Sequence, residues 1–120
     1  MATTTDLSKT RSGLFQRNVD YDNNESVVLV AAETGKRVKV WFISISCDTG
    51  GVLSLTSIEE ATSATSKIFD FYVGNNWGDV RQAVGKEPLY ETDEGEALNF
   101  ASNQTASHNG NVFIKYTIEP

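Results

Sequence analysis

ESVVLVAAETGKRVKVWFISIS (residues 25–46) sets two runs of β-branched and aromatic residues on either side of a Thr34-Gly35 pair. Val, Ile, Phe and Trp fit a pleated, half-buried surface, and two such runs around a turn pair read as a β-hairpin. The spacing predicts that hairpin over residues 26–46. Within its second run Val38, Val40 and Phe42 share one face, whereas Ile43 and Ile45 fall on the other. The inward parity therefore changes near Trp41 and Phe42, which calls for a bulge there or for a strand covered on both faces.

Outward from this stretch the same signals recur. CDTGG (47–51) turns the chain into VLSLTS (52–57), where Leu53 and Leu55 oppose Ser54 and Thr56. IEEATSATS (58–66) is the one helix candidate, but its Thr and Ser side chains compete with helical hydrogen bonds, so a loop with at most one turn is expected. KIFDFYV (67–73) alternates with Phe69, Phe71 and Val73 on one side, and GNNWGD (74–79) breaks the pattern. DVRQAV (79–84) reads as a short strand and EPLYET (87–92) as extended chain, since a residue before proline avoids the α region. ALNFAS (97–102) and NVFIKYTIE (111–119) follow, the latter with Val112, Ile114, Tyr116 and Ile118 on one face. About eight strands with turn signals between them give an all-β chain folded as a single antiparallel β-sandwich.

A chain of 120 residues suits one domain rather than two with separate cores. Residues 1–23 hold few apolar side chains and no sustained period, so they read as an extended N-terminal arm, with the sandwich over residues 24–120. The charge is split along the same line. Lys9, Arg11 and Arg17 against Asp6 leave residues 1–19 at +2, and the total of -6 then leaves -8 on the remainder. That acidity argues against a nucleic-acid binder, which needs a Lys/Arg footprint on the phosphates. Cys47 is the single cysteine, so no intrachain disulfide framework and no multi-cysteine metal site is available. MATTTDL has neither a basic nor an apolar leader region, and no apolar run approaches the length of a membrane span. Synthesis in a cytosol and no membrane partner are expected.

ETDEGEALNF (91–100) gathers Glu91, Asp93, Glu94 and Glu96 around Gly95. Calcium sites draw on loops of this general character, but the spacing is not that of an EF-hand. The acids read as a solvated corner whose glycine takes positive φ. His108, the one histidine, lies in a polar loop with no nucleophile paired to it, and Cys47 reads as a small hydrophobe at a strand end. No catalytic, metal or cofactor site is expected.

Three elements carry a resemblance. Ala31, Ala32, Gly35, Lys36 and Val38 match an Ala-Ala-x-x-Gly-Lys-x-[Ile/Val] hairpin; Pro88, Leu89, Tyr90, Thr92, Gly95, Glu96 and Leu98 match a segment that turns on Thr-x-x-Gly-Glu; Gly110, Val112 and Tyr116 match a closing strand. Over roughly residues 27–118 the chain resembles small virion proteins of tailed bacteriophages, and among them capsid decoration, or cement, proteins. The resemblance implies a jelly-roll-like sandwich on the outer capsid surface, made in the cytoplasm of a bacterial host. Its implied partners are the major capsid protein and the chain itself, as a homotrimer.

Such a role needs contact residues, and interfaces favour aromatic and Arg anchors. Trp77 stands in a predicted loop, while Trp41 and Phe113 fall off the apolar parity of their strands, with Trp41 the better candidate for core. Leu7, Leu14, Phe15 and Arg17 give the arm the mix of anchors and cations of a segment that orders on a partner. A receptor- or carbohydrate-binding module is the alternative, with GNNWGD as its loop and Trp77 stacked on a sugar.

Overall fold

The structure, a computed structural model, describes residues 3–5, 14–22, 25–103 and 110–120. The strands are β1 (Thr3–Thr5), β2 (Phe15–Tyr21), β3 (Ser26–Val30), β4 (Arg37–Cys47), β5 (Gly51–Glu59), β6 (Ala64–Val73), β7 (Trp77–Gln82), β8 (Tyr90–Glu91), β9 (Ala97–Asn103) and β10 (Gly110–Glu119). There is no helix among the described residues. One sheet runs β1-β2-β10-β4-β7, with β8 paired to β4 beyond the end of β7; the other runs β3-β9-β5-β6. Every pairing is antiparallel. The expected all-β sandwich is what the chain forms.

Alternation builds the core. Val112, Ile114 and Tyr116 of β10, Leu53 and Leu55 of β5, and Leu98 and Phe100 of β9 are buried between the sheets. Each large apolar side chain taken fully out of water contributes about 1.5–3 kcal/mol, so these layers dominate the stability. The parity change in β4 is a bulge. Lys115 pairs with Phe42 and Tyr116 with Val40, which leaves Trp41 as the extra residue. Val38 and Val40 point inward before it, and Ile43, Ile45 and Cys47 after it. One unpaired residue thus keeps an eleven-residue strand apolar on its inner side throughout.

Two expectations are corrected. Residues 26–46 are not a hairpin, because β3 pairs with β9 and β4 with β10, in different sheets. The 31–36 connection arches across the edge of the sandwich, so the apolar faces of β3 and β4 meet through the core instead of lying side by side. Both arrangements need the same alternation and the same turn, which is why the pattern did not separate them. The boundary at residue 23 also fails. Phe15–Tyr21 is a strand bonded along its length to β10, with Val19 and Tyr21 in the core. Its alternation is present in the sequence, but Arg17 sits at an inward position and interrupts the apolar count. Leu7, Lys9, Arg11 and His108 lie outside the described residues.

Between β5 and β6 the chain makes a tight turn, where the Ser63 amide donates to the Glu59 carbonyl at 2.7 Å. The absence of helix over 58–66 and the single turn are as expected.

Candidate functional site

β4 and β10 are neighbours in the six-stranded sheet, and their outward residues decide what its outer face offers. The bulge places Trp41 and Phe42 there in succession. The indole Nε1 of Trp41 donates to Thr117 Oγ1 at 2.9 Å, which holds the ring over β10. Phe42 meets Phe113 edge-on at 5.9 Å between centroids, and Lys115 Nζ stands 5.3 Å from the Phe42 centroid. Trp41, Phe42 and Lys115, together with Leu14 just before β2 and Ala83 after β7, border a trough of about 440 Å³, with Phe113 beside Phe42 outside its lining.

Around it the outer face is mostly polar. Asn18, Asp20, Ser44, Ser46 and Asn111 occupy other positions in register, Asn111 donates to Asp20 at 2.8 Å, and Val80 of β7, beside Ser44, is the apolar exception. At the far end of the trough Lys39 pairs with Glu119 at 3.6 Å. The Thr117 hydroxyl donates to Glu119 in turn, so the polar groups are bonded among themselves. What the trough presents is aromatic surface with one cation and one carboxylate at its rim.

The two tryptophans exchange their expected places. Trp77 opens β7, packs half-buried against the core and lies 6.3 Å from Phe71, ring to ring, so it stands in a strand and not in a loop. Trp41 is the one on the outside. Phe113 is outward, as its parity implied. Of the arm residues, Phe15 rests on Tyr116 at 5.7 Å and belongs to the packed interior, and Arg17 borders the opening between β2 and β3 beside Tyr116. Leu14 alone of these reaches the trough. Phe42 and Lys115 were missed, although Phe42 stood at the parity change and Lys115 two positions after Phe113.

The acidic corner joins the sheets. Thr92 is buried, its hydroxyl accepts from the Val38 amide at 2.9 Å, and its own amide donates to the Val38 carbonyl at 3.0 Å. Gly95, at φ 76°, donates its amide to the Lys36 carbonyl at 2.7 Å. Ser57 accepts from the Asp93 amide at 2.9 Å and donates to Glu96 at 2.6 Å. Glu91, Asp93 and Glu94 are exposed. The corner thus fastens β8 of one sheet to β9 of the other, with its glycine in the left-handed region.

Elsewhere Cys47 is buried at the end of β4, and desolvation raises its pKa. Among the described residues no three His, Cys, Asp or Glu side chains are placed to hold a metal ion. Compared with known proteins, the chain matches no family model and no curated relative.

Proposed function

We propose that this chain is a structural protein of a bacteriophage virion, a decoration protein that binds the outer capsid surface as a trimer and stabilises the shell. The observation that carries the reading is the aromatic trough, an apolar strip on a mostly polar sheet face. A sandwich needs its inner faces apolar; it gains nothing for its own core from Trp41, Phe42 and Phe113 turned outward. Outward aromatic anchors with a charged rim are what a protein interface uses.

Two further observations support it. The sequence pattern over residues 27–118 resembles that of small phage virion proteins. The strand orders β2-β10-β4-β7 and β3-β9-β5-β6, with the chain passing repeatedly between the sheets, support a jelly-roll arrangement within this reading. Binding to a capsid lattice through many weak copies gains from avidity, so a shallow trough of this size is sufficient.

The test is light scattering of the free protein at high micromolar concentration, followed by mixing with emptied capsids and sedimentation. A trimer that co-sediments with capsids and raises their melting temperature is expected. A monomer that stays in the supernatant would refute the proposal.

A second reading has a specific observation in its favour. Gln82, Thr117 and Glu119 ring the aromatic floor with hydrogen-bonding groups, as a sugar site would require. The carbohydrate-binding alternative therefore moves from Trp77 to the trough, and a glycan array separates it from the capsid reading.

A further inference from the structure

We propose that the trough is filled by the loop between β7 and β8, residues 84–88, of a second copy of this chain. The inference rests on the oligomer in the preceding reading and is independent of the capsid.

The loop is built as a knob. In a regular strand successive carbonyls point to opposite sides. At the Trp41 bulge two successive carbonyls serve the same side: the Val40 carbonyl accepts from the Leu89 amide and the Trp41 carbonyl from the Ala83 amide, both at 2.8 Å. Both ends of the loop are thereby pinned to one spot on β4. The chain between them, Val84-Gly85-Lys86-Glu87-Pro88, is held out from the sheet edge with little freedom left to lose on binding.

At its first position Val84 is 92% exposed, the most open large apolar side chain of the described residues, and Val80 on the same edge is 62% exposed. The Ala83 side chain borders the trough of its own protomer, yet Val84 does not fill it. An apolar knob and an apolar trough on one molecule, neither satisfied by the other, are complementary between copies.

Charge selects a copy over an unrelated acidic or basic partner. The loop carries Lys86 and Glu87, and the trough carries Lys115 and Glu119. Seating the loop with Glu87 toward Lys115 and Lys86 toward Glu119 places unlike charges together, which offsets repulsion between two acidic bodies. When the contact repeats about a threefold, as the preceding reading requires, knob and trough make a heterologous contact that closes a ring.

The experiment is multi-angle light scattering over a dilution series, with thermal melting of each variant to show that it is folded. Val84→Asp, on an exposed loop, should raise the concentration for half-dissociation at least about tenfold. Glu87→Lys and Lys115→Glu should each weaken association, and the double variant should recover most of the loss. If the wild type associates but Val84→Asp changes nothing and the double variant shows no recovery, this contact is wrong while the oligomer stands. A wild type that stays monomeric at high micromolar concentration overturns both.

Discussion

Replacing Gly110 with alanine probes how Tyr21 is seated. Tyr21 on β2 is paired with Gly110 on β10, and Gly110 is paired in turn with Cys47 on β4. The Tyr21 hydroxyl donates to the Ser46 carbonyl at 3.0 Å, so the ring crosses β10 to reach the next strand but one. It can do so because Gly110 has no side chain. A Cβ there would stand 2.4 Å from Tyr21 Cζ and 2.6 Å from its hydroxyl oxygen. Ordinary van der Waals contact needs about 3.5–4.0 Å, so the ring must move by about 1 Å. That movement disturbs the edge contact with Phe100, now at 4.7 Å, and strains the bond to Ser46. Overpacking costs about 1–3 kcal/mol and the hydrogen bond about 0.5–1.5 kcal/mol, while alanine recovers about 0.4–1 kcal/mol by restricting the unfolded chain. The net is a loss of about 0.5–4 kcal/mol, read as the shift of the urea midpoint followed by tryptophan fluorescence. The same substitution in a Tyr21→Val background should cost under about 1 kcal/mol, since the clash has gone. Equal losses in the two backgrounds would refute the reasoning, because the energy would then belong to the backbone and not to the ring.

Thr92→Val keeps the shape but strands the buried Val38 amide, so it should cost about 1–3 kcal/mol by denaturant titration, and Thr92→Ser should recover most of that. Desolvation raises the pKa of Tyr21 in the folded state, ahead of its repulsion by Cys47 and Asp48. A raised tyrosine pKa stabilises the fold fully below the unfolded value of about 10 and loses that share as pH rises above it; melting at pH 8 to 11 should show the fall, and Tyr21→Phe should flatten it. Deleting Trp41 alone should leave β4 regularly alternating and the protein folded, whereas deleting Ser44 should turn one end of the strand's apolar set to solvent and abolish cooperative melting.

The sandwich was legible because burial in a two-layer fold writes itself as period two, and β5, β9 and β10 carry that period with few exceptions. The bulge was legible for the same reason, as a break in the period. What alternation does not carry is the identity of the strand next door. The 26–46 run satisfies a hairpin and an arch equally, since each puts the same side chains inward. β2 was hidden by a single inward guanidinium, at Arg17. The acidic corner was read correctly because positive φ has a residue signature. The trough was half legible: Trp41 stood out as an off-parity aromatic but was expected in the core, and that Phe42, Lys115 and Thr117 complete one surface with it depends on the register of β4 against β10. Trp77 was misplaced because glycines and asparagines before it suggested a loop, whereas the strand begins at the tryptophan itself.

The crossing of the chain between sheets bears on how the molecule is made. Only β1 with β2 and β5 with β6 pair with a strand that follows directly in sequence. β10 lies between β2 and β4, and the Asn111–Asp20 bond closes a span of 91 residues. During synthesis the facing edges of β2 and β4 must therefore wait until β10 has left the ribosome, with Val19, Ile43 and Ile45 incompletely covered in the meantime, although β1 can already pair with β2 and β7 with β4. Long-range pairing of this kind is slow and exposes strand edges to other chains. A hairpin of β5 and β6 is the local structure available to form early, and the rate of folding should be governed by the arrival and insertion of the strand that begins at Gly110.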